Sequence, residues 1–191
     1  VPDPAEQLRR SWDENAEAWR DAVRRGSIES RRIATDAAIV DAVLAQNPQT
    51  VLDLGCGEGW LSRALAAHGV STTGIDASAA LIGAAVDDGG GAFHVCSYET
   101  LAADAALAGK KFDAVVANFS LLGEDLSPPL AASRSLLHRA GSLIVQTVHP
   151  LTGAGDGPYE DGWRVETFAT MPGEWREPMP WYFRTMGSWL R

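Results

Sequence analysis

The stretch Val51-Leu52-Asp53-Leu54-Gly55-Cys56-Gly57-Glu58-Gly59-Trp60 decides the fold. Val51 to Leu54 read as a short strand, and it runs straight into glycines at alternate positions. Glycine accepts positive φ and lets the backbone come close to a ligand, so Gly55, Gly57 and Gly59 mark a tight turn shaped around something bound. A dinucleotide-binding loop, G-x-G-x-x-G, needs glycine or alanine at its last position, where the helix packs on the strand. Gly55 and Gly57 fit that pattern, but its last position holds Trp60. Asp53 also sets a carboxylate where a pyrophosphate would be repelled. A turn with no ligand explains neither the three glycines nor the aspartate.

Working outward, apolar runs of strand length alternate with helical stretches. Strands are predicted over residues 70–75, 92–95, 112–117 and 143–148. Helices are predicted over 60–68, 78–86 and 128–138, with a weaker one near 99–107. Gly69 stops the first helix, and Asp87-Asp88-Gly89-Gly90-Gly91 is a turn. Strands joined through single helices imply right-handed crossovers, and so a doubly wound α/β domain with a mostly parallel sheet and helices on both faces.

Ahead of this core, residues 4–45 read as two helices. Leu8, Trp12, Ala16 and Trp19 give the first its apolar spacing. Ser27 is a candidate cap for the second, with Ile28, Ile33, Ala37, Val40 and Leu44 on its face. Asn47-Pro48 ends it. Beyond His149 lie five of the 10 prolines, all 3 methionines and four of the 7 tryptophans. That segment reads as a folded excursion without long elements, and a new helix is expected at Thr185 or Ser188. Leu143-Ile144-Val145 is apolar throughout, as in an interior strand buried on both faces. On that reading, further strands are expected beyond Arg191. The expected division is a helical cap over 1–48, an α/β core carrying the glycine loop over 49–149, and a lid over 150–191.

The chain has 191 residues, 46% hydrophobic and 21% charged, enough to bury a core. Its formal net charge of −9 opposes nucleic-acid binding, which relies on clustered Lys and Arg. Apolar runs fall short of the roughly 20 residues a bilayer span needs, so no membrane partner is expected. No stretch has the form of a secretory signal. Cys56 and Cys96 are too few for a disulfide framework, which points to a reducing cytoplasm. No His, Cys or Asp spacing suggests a metal site.

The segment Asp53-Leu54-Gly55-Cys56-Gly57-Glu58-Gly59 resembles motif I of the class I S-adenosylmethionine-dependent methyltransferases. The resemblance extends over residues 50–149. It implies S-adenosylmethionine as cofactor, S-adenosylhomocysteine as product, and, with the acidic charge, a small-molecule acceptor. The cofactor's sulfonium and α-amino charges suit a loop that carries a carboxylate. Gly55, Cys56, Gly57, Gly59 and Trp60 then surround the cofactor. In Gly74-Ile75-Asp76-Ala77-Ser78, Asp76 stands sixteen residues after Trp60 at a strand end. The resemblance gives it the ribose hydroxyls with Ala77 beside it; the other role open to Asp76 is a helix cap.

In Cys96-Ser97-Tyr98-Glu99 the family often has an acidic residue toward the adenine amino group, and here Ser97 stands in that place. Adenine contact is open between the Ser97 hydroxyl, the backbone and stacking on Tyr98. The alternative is a capping Ser97 with Tyr98 in the core. Asn118 and Phe119 are implied at the methionine end, facing the acceptor. No Pro-Pro follows Asn118, unlike the family members that methylate nucleic-acid bases.

His149, after the last strand, is a candidate general base or else a structural residue. Arg31, in the pair Arg31-Arg32, is a candidate for the methionine carboxylate. His68 and His138 are assigned to helix C-termini, outside the site. No catalytic residue is obligatory when the methyl donor is already activated. Two other readings share the fold: a non-catalytic cofactor-binding or regulatory module, and a nicotinamide-dependent oxidoreductase, against which Trp60 argues.

Overall fold

The computed structural model describes residues 3–191. Its sheet has five strands: β1 (Thr50–Leu54), β2 (Ser71–Asp76), β3 (Ala92–Val95), β4 (Phe112–Asn118) and β5 (Leu137–Gln146). Their order is β3-β2-β1-β4-β5 and every neighbouring pair is parallel. The chain winds from β1 to one edge, then returns across β1 to β4. The reversal between β1 and β4 opens a crevice at the carboxyl ends, where open α/β sheets bind ligands.

Side-chain alternation divides the core in two. Leu52 and Leu54 of β1 join Ile75, Phe112, Val115 and Ala117 under the α6 helix (Ser127–Leu136). Val51, with Ala114 and Val116 of β4, packs under α3 (Asp36–Leu44) and α4 (Trp60–Ala66). The helix α5 (Ala79–Asp88) connects β2 to β3. Helices thus cover both faces, as the alternating pattern predicts.

Several sequence expectations are corrected. The first N-terminal helix is two, α1 (Pro4–Glu14) and α2 (Ala16–Arg24), broken at Asn15 (φ −101°, ψ 10°). The cause is tertiary: the buried Asn15 side chain bonds to the backbone of Arg176 and Glu177 instead of letting the helix run on. A π-helical turn, Arg31–Thr35, leads directly into α3. The helix expected near 99–107 shrinks to a 3-10 turn, Leu101–Ala103. There the Asp104 carboxylate accepts from the Ala106 N–H, a local bond that competes with helix continuation.

β5 begins at Leu137, so His138 lies in a strand and not at a helix end. β5 is also an edge strand. Among the described residues it pairs with β4 alone, and Leu143 and Val145 are exposed at 37% and 40%, the bare apolar surface that the sequence reading expects of this run without a covering strand. Beyond it come the helix α7 (Pro150–Ala154), an antiparallel hairpin of β6 (Gly162–Glu166) and β7 (Met179–Phe183), and α8 (Met186–Trp189), capped by Thr185. β7 packs on α1, bringing both ends of the chain over the carboxyl edge of the sheet.

Candidate active site

The three loop glycines have positive φ: +70° at Gly55, +56° at Gly57 and +83° at Gly59. Their surroundings differ. A Cβ on Gly55 would lie 2.5 Å from the Ser120 Cβ, and one on Gly59 would lie 2.9 Å from the Phe93 ring. Around Gly57 there is open space, a cradle facing outward. Gly55 and Cys56 N–H groups both donate to the Ile75 carbonyl, at 2.8 and 2.9 Å. The Gly57 N–H donates to Asp76 Oδ2 at 2.9 Å, and the Ser78 N–H to Asp76 Oδ1 at 2.9 Å. Ser78, whose hydroxyl accepts from the Leu81 N–H, is the cap of α5. Asp76 therefore braces the loop against the end of β2 and leaves the helix cap to Ser78.

Burial pushes the Asp76 carboxyl up, against the pull of those backbone N–H groups. Asp53 lies behind the loop, 2% exposed, and its Oδ2 has no hydrogen-bond partner. Burial first, and then the charge of Asp76, push its carboxyl up to about 7.

One cavity of about 1010 Å³ opens above the loop, between the sheet's carboxyl edge, α1, α2 and the β6–β7 hairpin. Gly55, Cys56, Gly57, Trp60, Asp76, Ala77, Ser97, Tyr98, Asn118, Phe119 and Arg31 all line it. Asp53 and Gly59 stand behind its wall. His149 is a correction: it is exposed, it caps α7 by accepting the Leu151 N–H on Nδ1 at 3.3 Å, and it forms no part of the wall. Proline at the next position is the first residue of α7, which leaves His149 as its cap and explains its place in the sequence.

Arg31 is held by Asp36, Nε to Oδ1 at 2.9 Å, and its guanidinium lies 4.5 Å above the Trp60 ring. Its Nη2 is buried without a partner. Arg32 is exposed beside Glu29 and does not line the cavity. Asn118 pairs with Gln146 across β4 and β5, and each has a buried side-chain oxygen without a partner. Strand register puts Asp53, Val116 and Asn118 on the same face of the sheet. Buried polar groups are normally paired, so the orphaned donor of Arg31 and the orphaned acceptor of Asn118, both residues of the cavity wall, fit an amino-acid carboxylate and ammonium.

Tyr98 packs on the core and its hydroxyl donates to the Ser120 carbonyl at 3.3 Å. Burial pushes that hydroxyl's pKa up. Tyr98 thus packs on the core on one side and lines the cavity on the other, a position compatible with both readings. Ser97, half-buried, has its hydroxyl 3.3 Å from that of Thr100 and still lines the cavity. Phe119 adopts φ +54°, rare for a non-glycine residue, and its N–H is held by the Gln146 carbonyl at 2.8 Å.

Two groupings escaped the sequence reading. Glu58, 2% exposed, takes Arg63 Nη2 at 2.5 Å and Arg24 Nε at 3.2 Å, while Arg24 Nη2 reaches Asp88 at 2.6 Å. This network ties α2 to the glycine loop and to the end of α5. The second is an aromatic wall. Phe168 stacks on Trp175 at 4.1 Å, and Trp19 meets the two edge-on at 5.6 and 4.9 Å. Trp12 lies 5.1 Å from Trp19. Residues 12, 19 and 168 line the cavity, as do Trp163 and Trp181. The abundance of aromatic residues after His149 was visible in the sequence. Their meeting with Trp12 and Trp19 rests on contacts across more than 140 positions, which no local pattern records.

A parallel sheet reversing at β1, a glycine loop at the reversal and an acidic residue closing β2 define a cofactor-binding α/β protein. Residues 51–141 match the family model of the methyltransferase domain. Comparison with the curated proteins gives no match. Among solved structures, a putative S-adenosylmethionine-dependent methyltransferase from Listeria monocytogenes is similar over 80% of this chain and 78% of its own, with 21% identity and a TM-score of 0.58. One from Mesorhizobium loti is similar over 83% and 78%, with 22% identity and a TM-score of 0.57. DhpI, in its SAM–HEP complex, is similar over 97% and 85%, with 18% identity and a TM-score of 0.62. At these identities the likeness to the solved structures is one of fold. With the methyltransferase-domain match over residues 51–141 and the motif I loop, the chain resembles the class I S-adenosylmethionine-dependent methyltransferases.

Proposed function

We propose that the enzyme methylates a small, largely apolar acceptor held between the N-terminal helices and the β6–β7 hairpin. The observation that carries this reading is the continuity of one cavity from the glycine loop to the aromatic wall. Its volume, about 1010 Å³, is at the upper end of the roughly 300–1,000 Å³ usual for ligand pockets, room for cofactor and acceptor end to end.

S-adenosylmethionine supplies a methyl group made electrophilic by its sulfonium. The chain's own residues divide the remaining work. Asp76 receives the ribose hydroxyls on the lone pairs that Gly57 and Ser78 leave free. Ser97 takes the adenine edge. Arg31 Nη2 takes the methionine carboxylate, and the amide oxygen of Asn118 takes the ammonium. Gly57, with no side chain, lets the cofactor lie against the loop. Trp12, Trp19, Phe168, Trp163 and Trp181 orient the acceptor and exclude water, and alignment of this kind contributes roughly 7–11 kcal/mol. Residues 3–48 form a helical cap over the core and residues 150–191 the lid over the acceptor.

Among the described residues no helix is long and apolar enough to cross a membrane. We place the enzyme in the cytoplasm, a reading that the free thiols of Cys56 and Cys96 support. The net charge of −9 favours an acceptor other than nucleic acid.

The test is calorimetric titration with S-adenosylhomocysteine, followed by assay of its formation from S-adenosylmethionine across a metabolite library. Tight binding and turnover with an apolar small molecule support the reading. Absence of binding overturns it.

A further inference from the structure

Asp53 has a place that the cofactor contacts do not use. It ends β1 behind the glycine loop, 2% exposed, out of the cavity wall, with Oδ2 buried and unpartnered. A carboxylate in that position has lost its water and gained no hydrogen bond, an expensive arrangement for the charged form. Asp76, one strand away, adds a second negative charge.

The other groups around Asp53 do not compensate. On the loop, the Cys56 thiol is pushed well up by burial and by the two aspartates, so it stays neutral. Glu58 is committed to Arg24 and Arg63. Tyr98 stays neutral, and Asn118 on β4 is uncharged. Of the arginines on the cavity wall, Arg9 faces Glu99, Arg20 is paired with Asp21, and Arg31 is held by Asp36 and Trp60. Asp13 of α1 adds further negative charge toward Asp76. The acidic pair therefore lacks a positive counterpart until a ligand brings one.

We propose that Asp53 makes this site distinguish S-adenosylmethionine from S-adenosylhomocysteine, by releasing a proton when the sulfonium cation binds. The inference rests on the methyltransferase reading above and concerns the same site. Both ligands carry an ammonium and a carboxylate, but only the methyl donor carries the additional positive charge. That charge stabilises ionised Asp53 through the thin glycine loop, whose low polarisability leaves the field less screened than in water. Methyl transfer removes the charge, Asp53 takes a proton back, and the neutral product is held less tightly. Substrate is favoured over product by charge at a residue that touches neither.

The sign follows from linkage. A carboxyl whose pKa falls on binding makes affinity rise with pH through its value in the free protein. That value is about 7 for Asp53. The ratio of S-adenosylmethionine to S-adenosylhomocysteine affinity is expected to rise up to about fivefold from pH 6 to pH 8, given roughly one unit more of shift with the cation.

The experiment is isothermal titration of the intact chain with each ligand at pH 6, 7 and 8, in two buffers of different ionisation enthalpy, for wild type and Asp53→Asn. Wild type should release a larger fraction of a proton with S-adenosylmethionine than with S-adenosylhomocysteine near pH 7. Asp53→Asn should lose that excess and flatten the ratio. The ligand's own amine titrates alike in both proteins, so their difference isolates Asp53. Equal proton release with the two ligands in wild type overturns the proposal even if the variant fails to fold. An unchanged ratio profile in a folded Asp53→Asn overturns it too. In both cases the methyltransferase reading stands, whereas binding of neither ligand removes both.

Discussion

The Asn15 side-chain amide donates to the Glu177 carbonyl at 2.7 Å, joining the break between α1 and α2 to the loop that precedes β7. Its Oδ1 accepts from the Arg176 N–H at 2.8 Å, so both ends of the amide are engaged. The clasp fixes Trp19, one turn along α2, against Trp175 and Phe168. Asn15→Ala leaves part-buried backbone groups without their partners, at a cost of about 1–3 kcal/mol. For a chain of this length that corresponds to a fall in melting temperature of roughly 2–12 °C. Calorimetric melting checks it, and a wild-type melting temperature would show the clasp to be energetically idle. Affinity for S-adenosylhomocysteine should change little, because Asn15 does not line the cavity.

The loop glycines should separate binding from folding. Gly57→Ala meets no protein atom, and its strain at φ +56° costs roughly 1–2 kcal/mol. Its methyl group points into the cradle, so cofactor affinity is lost while the fold remains. Gly55→Ala drives a Cβ to 2.5 Å from the Ser120 Cβ and 2.9 Å from the Tyr98 hydroxyl, and the fold itself should suffer. Titration with S-adenosylhomocysteine beside circular dichroism decides between them. Unfolding of Gly57→Ala would assign that glycine a purely structural role.

Asp76→Ala should lower affinity for both ligands at least tenfold, since two charge-assisted bonds to the ribose are each worth roughly 1.5–3 kcal/mol. The Gly57 N–H also loses its acceptor, which loosens the loop. Unchanged affinity would remove Asp76 from the site.

Asp53 also sets a pH dependence on the ligand-free fold. Its folded pKa of about 7 lies above the ordinary 3.8, so between the two values the folded state keeps a proton that the unfolded chain has lost. Stability contributed by this group is therefore full below pH 4 and declines as pH rises toward 7, by about 4 kcal/mol in all. Asp113 and Glu99, whose carboxyls are held low by hydrogen bonds, act in the opposite sense. The difference between wild type and Asp53→Asn cancels them. Denaturant titrations at pH 5 and 8 should show the variant gaining on wild type at the higher pH, and parallel behaviour would refute the buried-charge account.

What was legible in the sequence was whatever local pattern encodes. Val51 to Leu54 running into Gly55, Gly57 and Gly59 fixed strand, turn and switch point together, because the turn needs positive φ. The placement of Asp76 followed from the length of one βαβ unit. Long-range contacts were not legible. Asn15 sits at a helical position, yet a bond to residue 177 outweighs its helix propensity. His149 had the residue type and the strand-end position of a base, but its ring nitrogen caps α7. The Arg24–Glu58 pair spans 34 positions and has no signature that a single sequence displays.

The acceptor wall gives the remaining prediction. Trp163 and Trp181 are half-buried on the hairpin and line the cavity. The Trp163 N–H donates to Glu124 at 3.3 Å and its ring meets Tyr182 edge-on at 5.5 Å, so it is held in place from two sides. Trp181 meets Phe183 edge-on at 6.0 Å. Neither ring lies in the main core clusters under the sheet's helices. Rings fixed in this way offer a large apolar contact at small entropic cost, as binding hot spots do. If they grip the acceptor, Trp163→Ala and Trp181→Ala should each lower kcat/KM for methyl transfer by about 30-fold, the equivalent of roughly 2 kcal/mol at a hot spot. S-adenosylhomocysteine affinity should stay within about twofold, because the glycine loop and Asp76 are untouched. If the rings only pad the hairpin against α7 and α1, melting temperature falls in both variants and kcat/KM does not. Measuring turnover, product affinity and melting on the same preparations separates these outcomes, and a loss of stability without a loss of turnover would move the acceptor site elsewhere in the cavity.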